Sequence, residues 1–198
     1  MEWHRLIIND ALNLVLPVRS NEDGEPLIWA HHTPISTDVF RANYRIIAET
    51  NAAIWGKGIK YAATAGARIA NLTLLDISKA DAQEHGIEDA GPALLAEIKR
   101  LTLILAPGAN GFETLPVDVA IARKVIDADD WDEAEGSLCF FTAAFHLAKR
   151  AGRKKFSELI ASVIAGSTTS LGPTEYGSSL RQSTPVNDSI EIVSSEPS

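Results

Sequence analysis

Five histidines, one cysteine and a run of carboxylates are the residues of this chain best equipped for chemistry, and their spacing limits what they can do. The histidines are His4, His31, His32, His85 and His146. His31 and His32 are adjacent, so on a strand they leave opposite faces and cannot make the i, i+4 pair with which a helix holds zinc. Cys139, the single cysteine, supplies neither a thiolate cluster nor an intrachain disulfide. It stands in the apolar run Leu138-Cys139-Phe140-Phe141, where a thiol packs as a small hydrophobe rather than acting as a nucleophile.

The acidic run Asp127, Asp129, Asp130, Asp132, Glu133 and Glu135 invites a calcium reading. It departs from the EF-hand pattern, because Trp131 takes the third ligand position and the central turn glycine is missing. Carboxylates gathered at a helix start are explained by the positive end of the helix dipole. Gly108-Ala109-Asn110-Gly111 lacks the Gly-Lys-Ser/Thr ending of a phosphate loop, Gly56-Lys57-Gly58 is too short for one, and no serine sits in a G-x-S-x-G elbow. Lys149, Arg150, Arg153, Lys154 and Lys155 form one basic cluster without interleaved aromatics; it suits the C-terminal end of a helix and leaves room for an acidic partner segment. No catalytic, cofactor-binding or metal-ligating residue is assigned, and no cofactor is expected. A catalytic site assembled from distant residues stays open as a remote alternative.

The elements that position these residues read as α+β: mainly α with an N-terminal β-hairpin, followed by a flexible C-terminal tail. Leu6-Ile7-Ile8 and the stretch from Leu12 to Val18 form an extended or bulged apolar segment. The turn formers Asn21 to Pro26 follow, and Leu27-Ile28-Trp29-Ala30 returns as a strand. Ser36 is placed to cap a helix, with Ile35 and Phe40 spaced as a hydrophobic staple. That helix carries Val39, Phe40, Tyr44, Ile47, Ile54 and Trp55. A second helix is expected from about Tyr61 to Lys79, and a third after Gly91-Pro92 through Leu105, stopped by Pro107-Gly108. Gly108 to Phe112 reads as a loop, Pro116 opens a short helix with Val119 and Ile121, and Asp130 with Glu133 has capping-box spacing for a long apolar helix reaching about Lys149. A last amphipathic helix uses Phe156, Leu159, Ile160, Val163 and Ile164. The tryptophans Trp3, Trp29, Trp55 and Trp131 are spread as core anchors rather than gathered as a stacking platform.

These elements define a helical domain with its hairpin over residues 1–166 and a Ser/Thr-rich tail over 167–198. The tail's few large apolar residues cannot offset its ordering entropy alone, so it is expected to order on a partner. Leu171, Tyr176, Leu180, Ile190 and Ile192 are the candidate partner-binding residues within it.

The formal net charge of -8 opposes nucleic-acid backbones and anionic membranes. No apolar run approaches the roughly 20 residues of a membrane helix, and the first residues lack the pattern of a signal peptide. Neither nucleic acid nor membrane is expected as a partner, and a soluble chain in a reducing cytoplasm is.

Several segments resemble the tail assembly chaperones of long-tailed, siphophage-type bacteriophages: His32-Thr33-Pro34-Ile35-Ser36 before Val39-Phe40, Glu97 to Thr102, Pro107-Gly108 and Gly111 to Val117, Phe140-Phe141-Thr142, and the stretch with Thr169-Ser170-Leu171, Thr174-Glu175-Tyr176, Ser179-Leu180 and Ser183-Thr184. The resemblance implies a non-enzymatic protein of the host cytoplasm that self-associates, coats the aggregation-prone tape-measure protein, and yields to tail-tube protein as the tube polymerises. It also implies absence from the mature virion. In that family a translational frameshift often adds a domain that recruits tube subunits. A structural connector or tail protein of the virion is the alternative.

Overall fold

The computed structural model describes residues 12–109 and 111–183. The chain begins with β1 (Asn13–Ser20) and β2 (Pro26–His32), then α1 (Thr37–Ala42), α2 (Tyr44–Trp55), α3 (Ile59–Tyr61), a π-helical turn at Ala62–Gly66, and α4 (Ala70–His85). Next come α5 (Gly91–Arg100), β3 (Thr102–Gly108), β4 (Gly111–Pro116), α6 (Val117–Ala122) and α7 (Ala128–Phe145). A 3-10 turn at Arg150–Gly152 leads to α8 (Arg153–Val163), β5 (Ser167–Thr169) and α9 (Pro173–Ser183). The fold is α+β, and the strands join in one antiparallel sheet of order β4-β3-β2-β1-β5 among the described residues.

The expected N-terminal hairpin is present. Asn21 Oδ1 accepts from the backbone N–H groups of Asp23 and Glu25 and closes its turn. It is not an isolated pair, however: β3 lies along β2, and β5 lies beside the start of β1 at Asn13 to Val15. Val18 is the extra residue of a bulge between Pro17, opposite Trp29, and Arg19, opposite Ile28. The Leu6-Ile7-Ile8 segment, like Trp3 and His4, lies outside the described residues.

The sheet has two different faces because side chains alternate along each strand. Leu14, Leu16, Ile28, Ala30, Ile104, Ala106 and Leu115 point into the main core with the helices. At its centre runs α7, whose second half from Leu138 to Phe145 is buried on every side. Cys139 is buried there and its thiol is held up by desolvation, as expected of core filler. Trp55 stacks on Phe140 with ring centroids 5.6 Å apart. At Gly136 the crossing with the start of α4 is so close that a β-carbon would stand 2.1 Å from the Arg68 carbonyl oxygen.

Several sequence boundaries are corrected. The helix expected to reach Leu105 stops at Arg100, and Thr102 to Gly108 is β3, paired with β2 and β4. Its apolar run Thr-Leu-Ile-Leu satisfies helix and strand periods alike, and sheet pairing on both sides decides for the strand. The loop expected at Gly108 to Phe112 is the tight connection of the β3–β4 hairpin. The helix expected from Tyr61 is broken by the π-helical turn, and its regular part runs on past Lys79 to His85. Ser36 caps α1 as expected, accepting from Val39 N–H at 3.2 Å. For α7 the capping box is Asp127 with Asp130, one turn earlier than Asp130 with Glu133, and the helix ends at Phe145 rather than Lys149.

The largest correction concerns the segment after Gly166. Residues 167–183 are not a free tail: β5 closes the sheet edge at β1, and α9 lies over the sheet. Residues 184–198, with Ile190 and Ile192, lie outside the described residues.

Candidate functional site

Three of the candidate partner-binding residues, Leu171, Tyr176 and Leu180, fall on the strap that crosses the sheet face turned away from the core. The sheet supplies Val15, Trp29, His31, Leu105 and Phe112 to that face, by the strand registers. Trp29 meets Phe112 edge to face at 5.2 Å. Above them α9 packs against β4 and β3. Pro173, Tyr176, Gly177 and Leu180 are the less exposed of the described positions of α9, spaced to share one helix face. Gly177 is needed for the approach, since a β-carbon there would stand 3.2 Å from Phe112 Cβ.

One carbonyl holds the strap's start. Leu171 O accepts from Asn13 Nδ2 and from His31 Nε2, each at 3.0 Å. A carbonyl only accepts, so His31 carries its proton on Nε2. Burial lowers its pKa, and the Leu171 bond opposes that shift. The His31 ring faces Tyr176 at 6.3 Å. The Leu171 side chain stays 38% exposed while its backbone is the anchor. Asn13 and His31 were not assigned a binding role from sequence, and no local pattern marks them, because their acceptor lies 158 and 140 residues away.

The neighbouring His32 faces the core, as strand alternation requires. Thr102 Oγ1 donates to the Ile98 carbonyl at 2.8 Å, so it accepts from His32 Nδ1 at 3.0 Å. That leaves His32 Nε2 as a buried lone pair with no hydrogen-bond partner. Desolvation first, and the imidazole of His31 second, push its pKa down to about 3. His146 Nε2 donates to the Ile35 carbonyl at 2.8 Å, with its ring stacked on Phe40. His85 sits 3.2 Å from Asp81, which also pairs with Arg45. The described histidines are therefore dispersed and structurally engaged. Among the described residues no group of three or more His, Cys, Asp or Glu side chains is placed to hold a metal.

In the acidic run Asp127 and Asp130 are tied to the α7 start and to Arg19, at 2.9 and 2.6 Å. Asp129, Asp130, Asp132, Glu133 and Glu135 line a cleft of about 570 Å³ between α4 and α7, whose apolar lining includes Leu72 and Leu75; Glu135 also accepts from Asn71 and Trp131. A second cleft of about 260 Å³ lies between Asn51, Leu147, Lys149 and Phe156, beside the basic cluster. Among the described residues no helix is long and apolar enough to cross a membrane.

Compared with known proteins, the chain matches no protein-family model, no curated protein and no solved structure. The functional reading therefore rests on the residues and on where the fold places them.

Proposed function

We propose that this chain is a tail assembly chaperone of a long-tailed phage. In this reading it binds the tape-measure protein in the host cytoplasm, keeps it soluble while self-associated, and releases it as tail-tube subunits polymerise. One observation supports the reading beyond the resemblance itself. Four of the segments that carry it lie far apart in sequence yet are neighbours around strands β2, β3 and β4. Thr102, ending the Glu97 segment, pairs with His32, which opens the Thr33-Pro34 segment. Pro107 to Pro116 forms the hairpin beyond them. The strap with Leu171, Tyr176 and Leu180 covers that hairpin. Leu171 stands at the strap's exposed start, open to an apolar segment of another protein.

The test is co-expression of the full chain with the tape-measure protein encoded beside it. A soluble complex co-eluting on size exclusion, with tape-measure protein insoluble when expressed alone, supports the reading. Failure to bind or solubilise that protein overturns it. Detection of the chain in purified virions by mass spectrometry would move the assignment to a structural tail protein.

A further inference from the structure

The acidic cleft and the basic cluster lie at opposite ends of one helix. Asp129, Asp132 and Glu133 belong to the first two turns of α7, and the cations begin just after its C-terminus. Eighteen residues of α-helix separate the ends by about 27 Å. Asp129, Asp132 and Glu133 are exposed, and so are Lys149, Arg150, Lys154 and Lys155. Among the described residues none of these seven is ion-paired. Each end also carries a large apolar side chain left in water. Leu72 on α4, 57% exposed, lies in the acidic cleft. Leu159 on α8, 56% exposed, is one turn beyond Lys155 on the same helix face. The acidic cleft holds one cation, Arg68, at its edge.

The carboxylates suit the positive start of α7, but Lys154 and Lys155 lie in the first turn of α8, where the helix dipole opposes cations rather than accounting for them. Here the acidic residues line a cleft that also holds Leu72 and Leu75, while Lys154 and Lys155, with the single carboxylate Glu158 beside them, share α8 with exposed Leu159 of the same chain. We infer that the acidic α4–α7 cleft of one copy receives the basic α8 face of a second copy, head to tail. Leu159 enters beside Leu72 and Leu75, and Lys154 and Lys155 stand against Asp132 and Glu133. Because the two surfaces differ, each copy keeps one of them free. The contact repeats, giving a ring if the rotation closes and an open filament if it does not. The inference rests on the self-association within the chaperone reading and names its surfaces. It is independent of what the tape measure does.

The experiment uses three full-length chains: the parent, Asp132→Lys with Glu133→Lys, and Lys154→Glu with Lys155→Glu. Sedimentation velocity is recorded at low salt and in 1 M salt, with circular dichroism to check that each chain is folded. The parent associates at low salt and loses mass at high salt. Each reversed chain alone is at least about tenfold weaker in self-association, since two attractions become repulsions. Mixing the two reversed chains restores association, because the intact cleft of one meets the intact α8 of the other. A parent chain that stays monomeric at low salt overturns the inference. So do reversed chains that assemble like the parent, or a mixture that stays apart. Tape-measure binding without any of this salt-sensitive association would leave the chaperone reading standing and remove only the interface.

Discussion

His32 makes the chain's stability depend on pH from about 6.5 downward. In the unfolded chain its imidazole titrates near 6.5, and in the fold burial pushes it down to about 3. Between these values the unfolded state takes up a proton that the folded state refuses. Stability is therefore full above pH 6.5 and falls as pH drops toward 3. At pH 5.0 the unfolded imidazole is about 1.5 pH units below its midpoint. At about 1.4 kcal/mol per unit, the loss from His32 alone is about 2 kcal/mol relative to pH 7.5. His31 and His146 are also lowered by burial and act in the same direction. The perturbation that isolates His32 is His32→Gln, which keeps an N–H donor for Thr102 and removes the titration. Urea unfolding of parent and variant at pH 7.5 and 5.0, at fixed chain concentration, gives the double difference. The destabilisation caused by the variant should shrink by about 2 kcal/mol at the lower pH, because the parent loses stability that the variant does not. The carboxylates of Asp89, Glu97 and Asp127, lowered by their hydrogen bonds, titrate below this window and cancel between the two proteins. Parallel pH dependence in the two chains would refute the buried neutral imidazole.

Gly136→Ala improves helix propensity by about 1 kcal/mol, yet it should destabilise the fold by about 3 kcal/mol, since its β-carbon meets the Arg68 carbonyl at 2.1 Å. Gly152→Ala, with nothing within 4 Å, is the control, and thermal unfolding compares them. Tyr176→Ala should loosen the strap and speed hydrogen exchange in α9 at least tenfold, whereas Leu171→Ala, whose side chain is 38% exposed, should leave exchange unchanged and weaken only capture of a tail protein. If both variants changed exchange equally, the division between strap anchor and partner contact would be wrong.

The α+β class, the first hairpin, the Ser36 cap and the core helix around Phe140 were legible because each rests on neighbours in sequence. The strand at Thr102 to Gly108 was not, because four apolar residues in a row fit both periods and only β2 and β4 decide between them. The strap was misread for a related reason. Its apolar residues are too few to build a core, which composition reports correctly. It needs only Tyr176, Gly177 and Leu180, because the opposing surface of Trp29, Leu105 and Phe112 is already assembled. Its anchor couples Leu171 to Asn13 and His31, a relation that no local window contains. Leu171, Tyr176 and Leu180 were thus legible as the segment's apolar residues, while their setting came from the tertiary fold.

The last strand gives the order of sheet assembly a consequence for synthesis. Among the described residues, Asn13 to Val15 find their outer partners in Ser167 to Thr169. At roughly 5–20 residues per second, the ribosome needs about 8–31 s to make the intervening chain. Through that interval the outer side of Asn13 to Val15 lacks these partners, and an unpaired strand edge is a template for pairing with neighbouring chains. A product ending before Ser167 would lack this cover, so the short strand shields the start of β1, while Leu16 to Ser20 have no outer strand partner among the described residues.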